Sequence, residues 1–470
     1  MTVLRGAGWT SLSLAASRAL SFAALIILAR LLPTEELATY VVCVSAAGLI
    51  APVADMGLWP VVARLSARHR SSPLFVFTAA ADRARAPLWL LVTLAACCGG
   101  LLHFWPRGDL VSLAVLGAMG EAELITMRGE LLGRLRYTAA ATLLMTAAVL
   151  SLIGAGALPL IGRTADSAML VFAVSRGLPP LILHLRVPAA TGVTKISVRE
   201  GVSFGLATTF TNAYVTSDVL LLPLFGVAGF WIAIYGIAYK ILTALQTIPA
   251  SVATALYPQV ALATRNGQDQ GIRAPLGAGV AAAGMAVALL FLDLPFLFSF
   301  VGSSYKEGVD VVRPLLAMLL PITISMVCIS GIQARDHERE VLHLVMVIAI
   351  MNVVGNIVLI PMIGVRGALI ATSAAEWFAA FGAMLLAIQF CDLQRRDFGI
   401  LVGAGAVYTL TFIVAIPGAV ISALLVVWLT VAVSLNALGL RVSATELVRN
   451  VSTLGRASPK RPAPVDRGSA

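Results

Sequence analysis

The feature that leaves this chain the fewest folds is a succession of long apolar runs. The first, SLSLAASRALSFAALIILARLL over 11–32, carries only Arg18 near its middle and Arg30 at its far end. A membrane-spanning helix needs about 20 mostly apolar residues. Fourteen segments qualify: 11–32, 39–63, 86–105, 110–127, 138–161, 166–185, 202–226, 229–254, 275–298, 311–332, 341–361, 366–389, 398–416 and 418–437. Only helices and closed barrels satisfy every backbone polar group in hydrocarbon. These runs are too long and too uniformly apolar for barrel strands of about ten alternating residues. The chain therefore reads as an all-α polytopic membrane protein of about 14 transmembrane helices. Its composition agrees: 59% of residues are hydrophobic and 12% charged, against about 25% charged in soluble domains. The first run is too long for a signal-peptide core and lacks a clear cleavage site, so a retained span is expected.

Charge sets the expected orientation. With the N-terminus inside, the N-terminus, the even-to-odd connections and the C-terminal tail together hold 24 of the 33 Lys and Arg residues, and the opposite side holds 6. The positive-inside rule then puts both termini in the cytoplasm. The net charge of +10 follows from this topology and gives no reason to invoke nucleic acid. Five cysteines and five histidines are scattered without metal-ligand spacing, so neither a metal nor a cofactor is expected. The tail, 438–470, is basic and rich in Pro and Ser, a disordered composition.

Internal echoes divide the chain. GLWPVVARLSAR at 57–68 echoes ALYPQVALATR at 255–265, pairing Pro60 with Pro258; LPLIG at 158–162 echoes IPMIG at 360–364; Gly129 pairs with Gly331. The shift, about 200 residues, equals six spans, so the two copies share one orientation. The expected architecture is a six-helix lobe over 1–190, a second over 191–395 in parallel repeat, two further helices within 396–437, and the tail. Transporters often place the substrate path between such repeats.

Ionisable groups inside spans are functional candidates. At 1.5 Å per residue, Arg18 and Asp55 lie at matching depth on sequential helices, roughly 12 Å from the cytoplasmic end. Either they form a buried pair or Arg18 joins a cationic lining. Arg176 and Lys240 sit near the midplane, one in each expected lobe, and are the substrate-binding candidates together with Arg18. Asp55, Asp218, Glu121 and Glu376 are the candidates for carrying a coupling proton or sodium ion, or for structural pairing. Glu121 and Glu123 point about 200° apart on a helix and cannot both face one lumen. Intramembrane acids outnumber bases, so the count alone does not establish an anion-attracting cavity. Pro52, Pro179, Pro180, Pro249 and Pro321 punctuate the spans, where freed backbone groups can line a cavity.

Several stretches resemble a known family. ILARLLPTEELATYVV at 27–42 is similar to the first hairpin of polysaccharide-transporter flippases, and ADMGLWPVVAR at 54–64 to the end of their second span. TSDVLLLPLFGVAGFWIAIYGIAYKI at 216–241 resembles their seventh–eighth hairpin. FVGSSYKEGVDVVRPLL at 300–316 and MNVVGNIVLIPMIGVRGALIATS at 351–373 resemble later motifs. Asp55 and Asp218 match the two motif aspartates. Leu37-Ala38 replaces a motif Gly, Phe230-Trp231 replaces a motif Tyr, and Arg18 has no counterpart. The resemblance, to the multidrug/oligosaccharidyl-lipid/polysaccharide exporter superfamily, implies movement of polyprenyl-pyrophosphate-linked oligosaccharide to the outer leaflet of a bacterial plasma (inner) membrane. Surface polysaccharide (O-antigen, lipopolysaccharide or exopolysaccharide) would be the product, and the partners would be that lipid-linked oligosaccharide, membrane lipids and other polysaccharide-assembly proteins.

Physical chemistry permits such a task without covalent catalysis. The polyprenyl tail can stay in lipid, whereas an unsatisfied polar group in hydrocarbon costs several kcal/mol. The protein need supply only a polar groove and a few cations. An ion-coupled exporter of small cationic compounds would share the fold. A membrane glycosyltransferase or polymerase would need a sizeable catalytic loop at one face, and the connections are short.

Overall fold

In the computed structural model, the described residues are 2–393 apart from 56, 70–71, 102–107, 187–197, 266–270, 293, 303–304, 306–307 and 392. Among them lie sixteen α-helices and no strand: α1 Thr2–Leu31, α2 Thr34–Asp55, α3 Leu58–Arg68, α4 Val76–Leu101, α5 Gly108–Gly133, α6 Tyr137–Ile161, α7 Ala165–Arg186, α8 Val198–Leu224, α9 Gly229–Leu245, α10 Thr247–Arg265, α11 Arg273–Leu292, α12 Leu294–Val301, α13 Val309–Ala317, α14 Leu319–Gln333, α15 Glu338–Ile363 and α16 Val365–Phe390. Each of the first twelve expected spans coincides with one helix or two consecutive helices. Nine apolar stretches among the described residues are long enough to cross a membrane. The expected spans 398–416 and 418–437, the tail and the expected boundary at 190/191 lie outside the described residues.

Two boundaries differ from expectation, each for a local reason. The second span is broken: α2 stops at Asp55 and α3 starts at Leu58, with Gly57 at φ 68° between them. Glycine adopts that left-handed conformation without a Cβ penalty. The third span begins ten residues earlier than hydropathy indicates, because α4 carries Asp82, Arg83 and Arg85 in its first turns. A hydropathy window reads those residues as loop. Arg85 is instead buried in the bundle with Asp82 against it, while Arg83 is exposed.

Helix packing repeats along the chain. Early in the chain α1 packs on α6, α2 on α5, and α5 on α7; six spans later α8 packs on α15, α10 on α14, and α14 on α16. The turns repeat as well. Leu135 (φ 60°) ends α5 and Asp336 (φ 65°) ends α14. In the first turn Leu135 N–H donates to Leu132 O and Arg136 N–H to Leu131 O. In the second, Asp336 N–H donates to Gln333 O and His337 N–H to Ile332 O. Both are Schellman turns that satisfy last-turn carbonyls. Downstream, Gly162 closes α6 on Leu158 O and Gly364 closes α15 on Ile360 O. The parallel repeat is thus present in packing and in backbone caps, beyond the few residues that echo in sequence.

Buried carboxylates tie helix ends to their neighbours. Glu130 of α5 accepts from Thr78 N and Thr78 Oγ1 at 2.8 Å each, capping the N-terminus of α4, and pairs with Arg134 at 2.7 Å. Glu36 of α2 accepts from Ala165 N at 2.6 Å at the start of α7. Such positions complement the helix dipole.

Two early-chain helices, α1 and α2, also meet α8 and α9 across a seam. Away from the basic face the seam is tight: a Cβ on Gly236 would stand 2.4 Å from Val41 Cγ1, and Arg30 Nε donates to Phe300 O at 2.5 Å.

Small residues let membrane helices approach closely. At the α5–α7 contact a Cβ on Gly120 would lie 2.6 Å from Gly177 N, whereas one on Gly156 in α6 would meet nothing within 4 Å. Gly120→Ala is expected to destabilise the protein by about 1–3 kcal/mol through overpacking. Gly156→Ala is expected to be neutral or slightly stabilising. Thermal unfolding in detergent compares the two.

Candidate functional site

Where α2, α5 and α7 face α8 and α9, the bundle encloses a cavity of about 330 Å³. The volume is at the lower end of the range for small-ligand sites, about 300–1,000 Å³. Its polar lining comprises Tyr40, Asp55, Glu121, Arg176, Asn212, Tyr239, Lys240 and Thr243. The helices explain the selection. Lys240 is on the face of α9 that meets α1 and α2, while Glu121 and Arg176 are on facing sides of the α5–α7 contact.

The charges of this cavity are unequally satisfied. Arg176 Nε stands 3.2 Å from Glu121 Oε2, though its N–H is not aimed for a hydrogen bond. Lys240 has no hydrogen bond and no carboxylate within 4 Å among the described residues. It feels Arg176, Glu121 and Arg18 electrostatically. Arg128, one of the cations assigned by sequence to a loop, lies near both Arg18 and Glu121. Sequence reasoning missed Arg128 because it sits close to the end of an apolar run.

Of the two alternatives for Arg18, the pair with Asp55 is not formed here. Arg18 Nη1 donates to Thr243 O at 2.6 Å, a carbonyl in the last turn of α9, where the helix yields to α10 at Gln246. Last-turn carbonyls lack a full set of intrahelical partners, and a cation there complements the helix dipole. Asp55 is engaged by another residue, the buried Arg85: Arg85 Nη1 lies 3.2 Å from Asp55 Oδ1, and Thr126 Oγ1 lies 3.0 Å from the same oxygen. Trp59 N donates to Asp55 Oδ2 at 3.3 Å, across the α2–α3 break. Equal depth on two helices fixes height but not azimuth, and the partner came from α4. The Asp82–Arg85 spacing of three, which puts both on one face of a helix, was the available signal.

The remaining candidates are apart from the cavity. Asp218 is fully buried. It accepts from Tyr235 Oη, from Val219 N at 2.8 Å and from Thr372 Oγ1 at 3.4 Å. Asn352 joins the same cluster, bonded to Ser217 at 2.9 Å, Asn356 at 2.9 Å and Thr372 at 3.3 Å. This node ties α8, α9, α15 and α16 together. Glu376 is buried beside it, within the field of Asp218. Its Oε2 and Asn356 Oδ1 have no hydrogen-bond partner among the described residues. Among the described residues neither Asp218 nor Glu376 has a cationic partner. As the 200° separation required, Glu121 faces the cavity while Glu123 turns away toward Arg85 and His184.

The profile of the family described as polysaccharide biosynthesis protein matches residues 3–262, more than half of the chain. The chain belongs to that family. Solved transporters share its fold. It is similar to a lipid II flippase, MurJ, in an inward closed conformation (12% identity, 94% of this chain and 99% of that one, TM-score 0.65). It is also similar to an outward-facing multidrug resistance MATE transporter of the MOP superfamily (16% identity, 82% and 95% covered, TM-score 0.59). A MOP superfamily transporter from Pyrococcus furiosus aligns at 17% identity over 82% and 95%, with TM-score 0.58. No curated protein matches in sequence. At these identities the neighbours establish the fold alone: this member of the family is a multi-pass membrane protein that shares the fold of those solved transporters.

The revised pairing in this family member is open to a double-mutant cycle. Asp55→Asn combined with Arg85→Gln is expected to show a coupling energy of roughly 0.5–3 kcal/mol, whereas Asp55→Asn with Arg18→Gln should be additive within about 0.5 kcal/mol. Unfolding free energies of the purified variants supply both numbers.

Proposed function

We propose that this chain is a flippase moving polyprenyl-pyrophosphate-linked oligosaccharide from the inner to the outer leaflet of a bacterial inner membrane by alternating access, for assembly of a surface polysaccharide. Family membership supports the polysaccharide context. The observation that carries the reading is Lys240: among the described residues its ammonium has no carboxylate within 4 Å, while each acid of the seam cavity has an arginine beside it. Glu121 stands against Arg176 and Asp55 against Arg85. The Lys240 charge suits a pyrophosphate. One charge contact at ~4 Å and an effective dielectric near 20 is worth roughly 4 kcal/mol before desolvation.

The two groups of helices act as lobes that rock about the seam. Tight packing away from the basic face, at Gly236 and Val41, supports a state closed to the outside. The basic face is cytoplasmic and carries both termini. The cavity accommodates the diphosphate and adjoining sugar, the polyprenyl chain stays in lipid, and the seam widens for the rest of the glycan. Asp218 and Glu376, with the unpartnered oxygens beside them, are the candidates for a coupling proton or sodium ion.

The alternative, export of small cationic compounds, fits the fold but not the charge balance. An enzyme reading has less support still. Among the described residues the connections opposite the basic face are short, with α15 and α16 joined at Gly364.

Lys240→Ala is expected to cut translocation of a fluorescent lipid-linked oligosaccharide in proteoliposomes at least tenfold, with unchanged membrane insertion, while Lys240→Arg retains part of the rate. Wild-type rates in Lys240→Ala would remove Lys240 from the path. Drug hypersensitivity of a deletion strain with normal surface glycan would favour the cation exporter.

A further inference from the structure

On the lipid-facing side of α4, α5 and α7 lies a second cavity, about 880 Å³ in volume and separate from the seam. Its walls are apolar and largely exposed, including Leu90, Leu116, Leu170 and Leu181. One end is polar, formed by Asp82, Arg85, Glu123 and His184. The polar end is at the same end of all three helices. Along α4 the lining runs from Asp82 to Thr93, along α5 from Glu123 back to Leu113, and along α7 from His184 back to Leu170. These stretches are roughly 15–21 Å long at 1.5 Å per residue. The hydrocarbon thickness of one leaflet is about 15 Å, half of the bilayer core. The groove therefore has the dimensions and polarity of a single leaflet lipid, with its head toward the basic face.

Charge selects the head. Arg85 Nη2 contacts both Asp82 and Glu123, and its Nη1 lies 3.2 Å from Asp55. One guanidinium thus serves three carboxylates. His184 Nε2 is 2.7 Å from Glu123 Oε1 and 3.7 Å from Asp82 Oδ2. With Asp55, Asp82 and Glu123 all ionised and His184 protonated, the cluster is one positive charge short, a difference that either a proton shared between Asp82 and Glu123 or a cation from outside makes up. The cluster sits at the mouth of the groove, at the level of a lipid head, where a cation carried by that head can reach it. A cation that arrives attached to acyl chains completes both halves of the site. An anionic head, including the pyrophosphate carrier proposed for the seam, would be repelled.

We propose that this groove is a binding site for a phospholipid with a primary ammonium headgroup, its ammonium donating hydrogen bonds to Asp82 and Glu123 and its acyl chains lying against α4, α5 and α7. Binding draws Asp82 and Glu123 away from Arg85 and leaves that guanidinium to Asp55, which lines the seam cavity. The lipid thereby acts on the charge of the transport path through one side chain. The site does not depend on which substrate the seam carries.

The test is native mass spectrometry of the full chain taken from vesicles with equal amounts of dioleoyl phosphatidylethanolamine and dioleoyl phosphatidylcholine. The choline head has the same charge but no N–H to donate. Wild-type protein is expected to retain the ethanolamine lipid at least fivefold over the choline lipid. Asp82→Asn with Glu123→Gln should bring the ratio to about one. Gly177→Leu, whose side chain would enter the groove from a position with open space, should remove both lipids. Equal retention by the wild type overturns the proposal without recourse to any variant. So does an ethanolamine preference that survives both variants. The three ligand-type atoms of Asp82, Glu123 and His184 lie within 4.8 Å of one another. One tightly held manganese ion per chain with no lipid preference would therefore make the cluster a metal site instead and overturn the lipid assignment.

Discussion

Every ionised side chain in a bilayer-spanning helix needs a partner, a path to water, or a ligand, and this constraint organises the bundle. A charge left alone near the bilayer centre costs a few kcal/mol at least. Here the partners come from other helices. Arg85 of α4 holds Asp55 of α2 and Glu123 of α5. Arg176 of α7 stands against Glu121 of α5, and Arg18 of α1 reaches a carbonyl of α9. Such links specify which helices are neighbours and at what height. Apolar packing alone specifies this weakly in a membrane, because lipid tails are as apolar as the helices. The Asp218 node does the same for α8, α9, α15 and α16 with neutral donors.

Arg85 has a second consequence. Asp55 lines the seam cavity and Arg85 lines the outer groove, so one ion pair forms the wall between them. A buried pair of this kind is weak evidence for stability, since desolvation offsets much of the attraction. Its value lies in specificity and in the sharing of charge. With three carboxylates competing for one guanidinium, any cation that takes up one of them strengthens the claim of the others. The wall can therefore pass a charge change from one cavity to the other without a large backbone movement.

How much of this was legible in the sequence depends on the dimension concerned. Length and hydropathy are properties along the chain, and the twelve spans within the described residues emerged from them. The opposition of Glu121 and Glu123 followed from helical angle within one element. Pairing across helices needs azimuth, which neither depth nor hydropathy contains, and so Arg18 was matched to Asp55 although its partner is a backbone carbonyl. Arg85 was hidden because α4 extends ten residues into a charged stretch that reads as loop. The Schellman turns at Leu135 and Asp336 were hidden for a different reason. Neither uses the glycine that normally marks a left-handed residue, so their equivalence is visible only in the backbone.

The link from Arg18 to Thr243 O crosses the seam, and its strength bears on how the seam could move. A hydrogen bond from a charged donor is worth about 1.5–3 kcal/mol net. That is enough to bias a two-state equilibrium by roughly ten- to a hundredfold, since about 1.4 kcal/mol is a factor of ten, yet too little to lock it. The same guanidinium offers further donors in a fixed fork that matches a phosphate. On the proposed flippase reading, opening of the seam would let Arg18 exchange the α9 carbonyl for an anionic head at small net change in free energy. Lysine could not do this as well, because its ammonium lacks the bidentate geometry. The arginine within the first span thus has one acceptor in the protein, the α9 carbonyl; a second would arrive with the substrate only on the proposed reading.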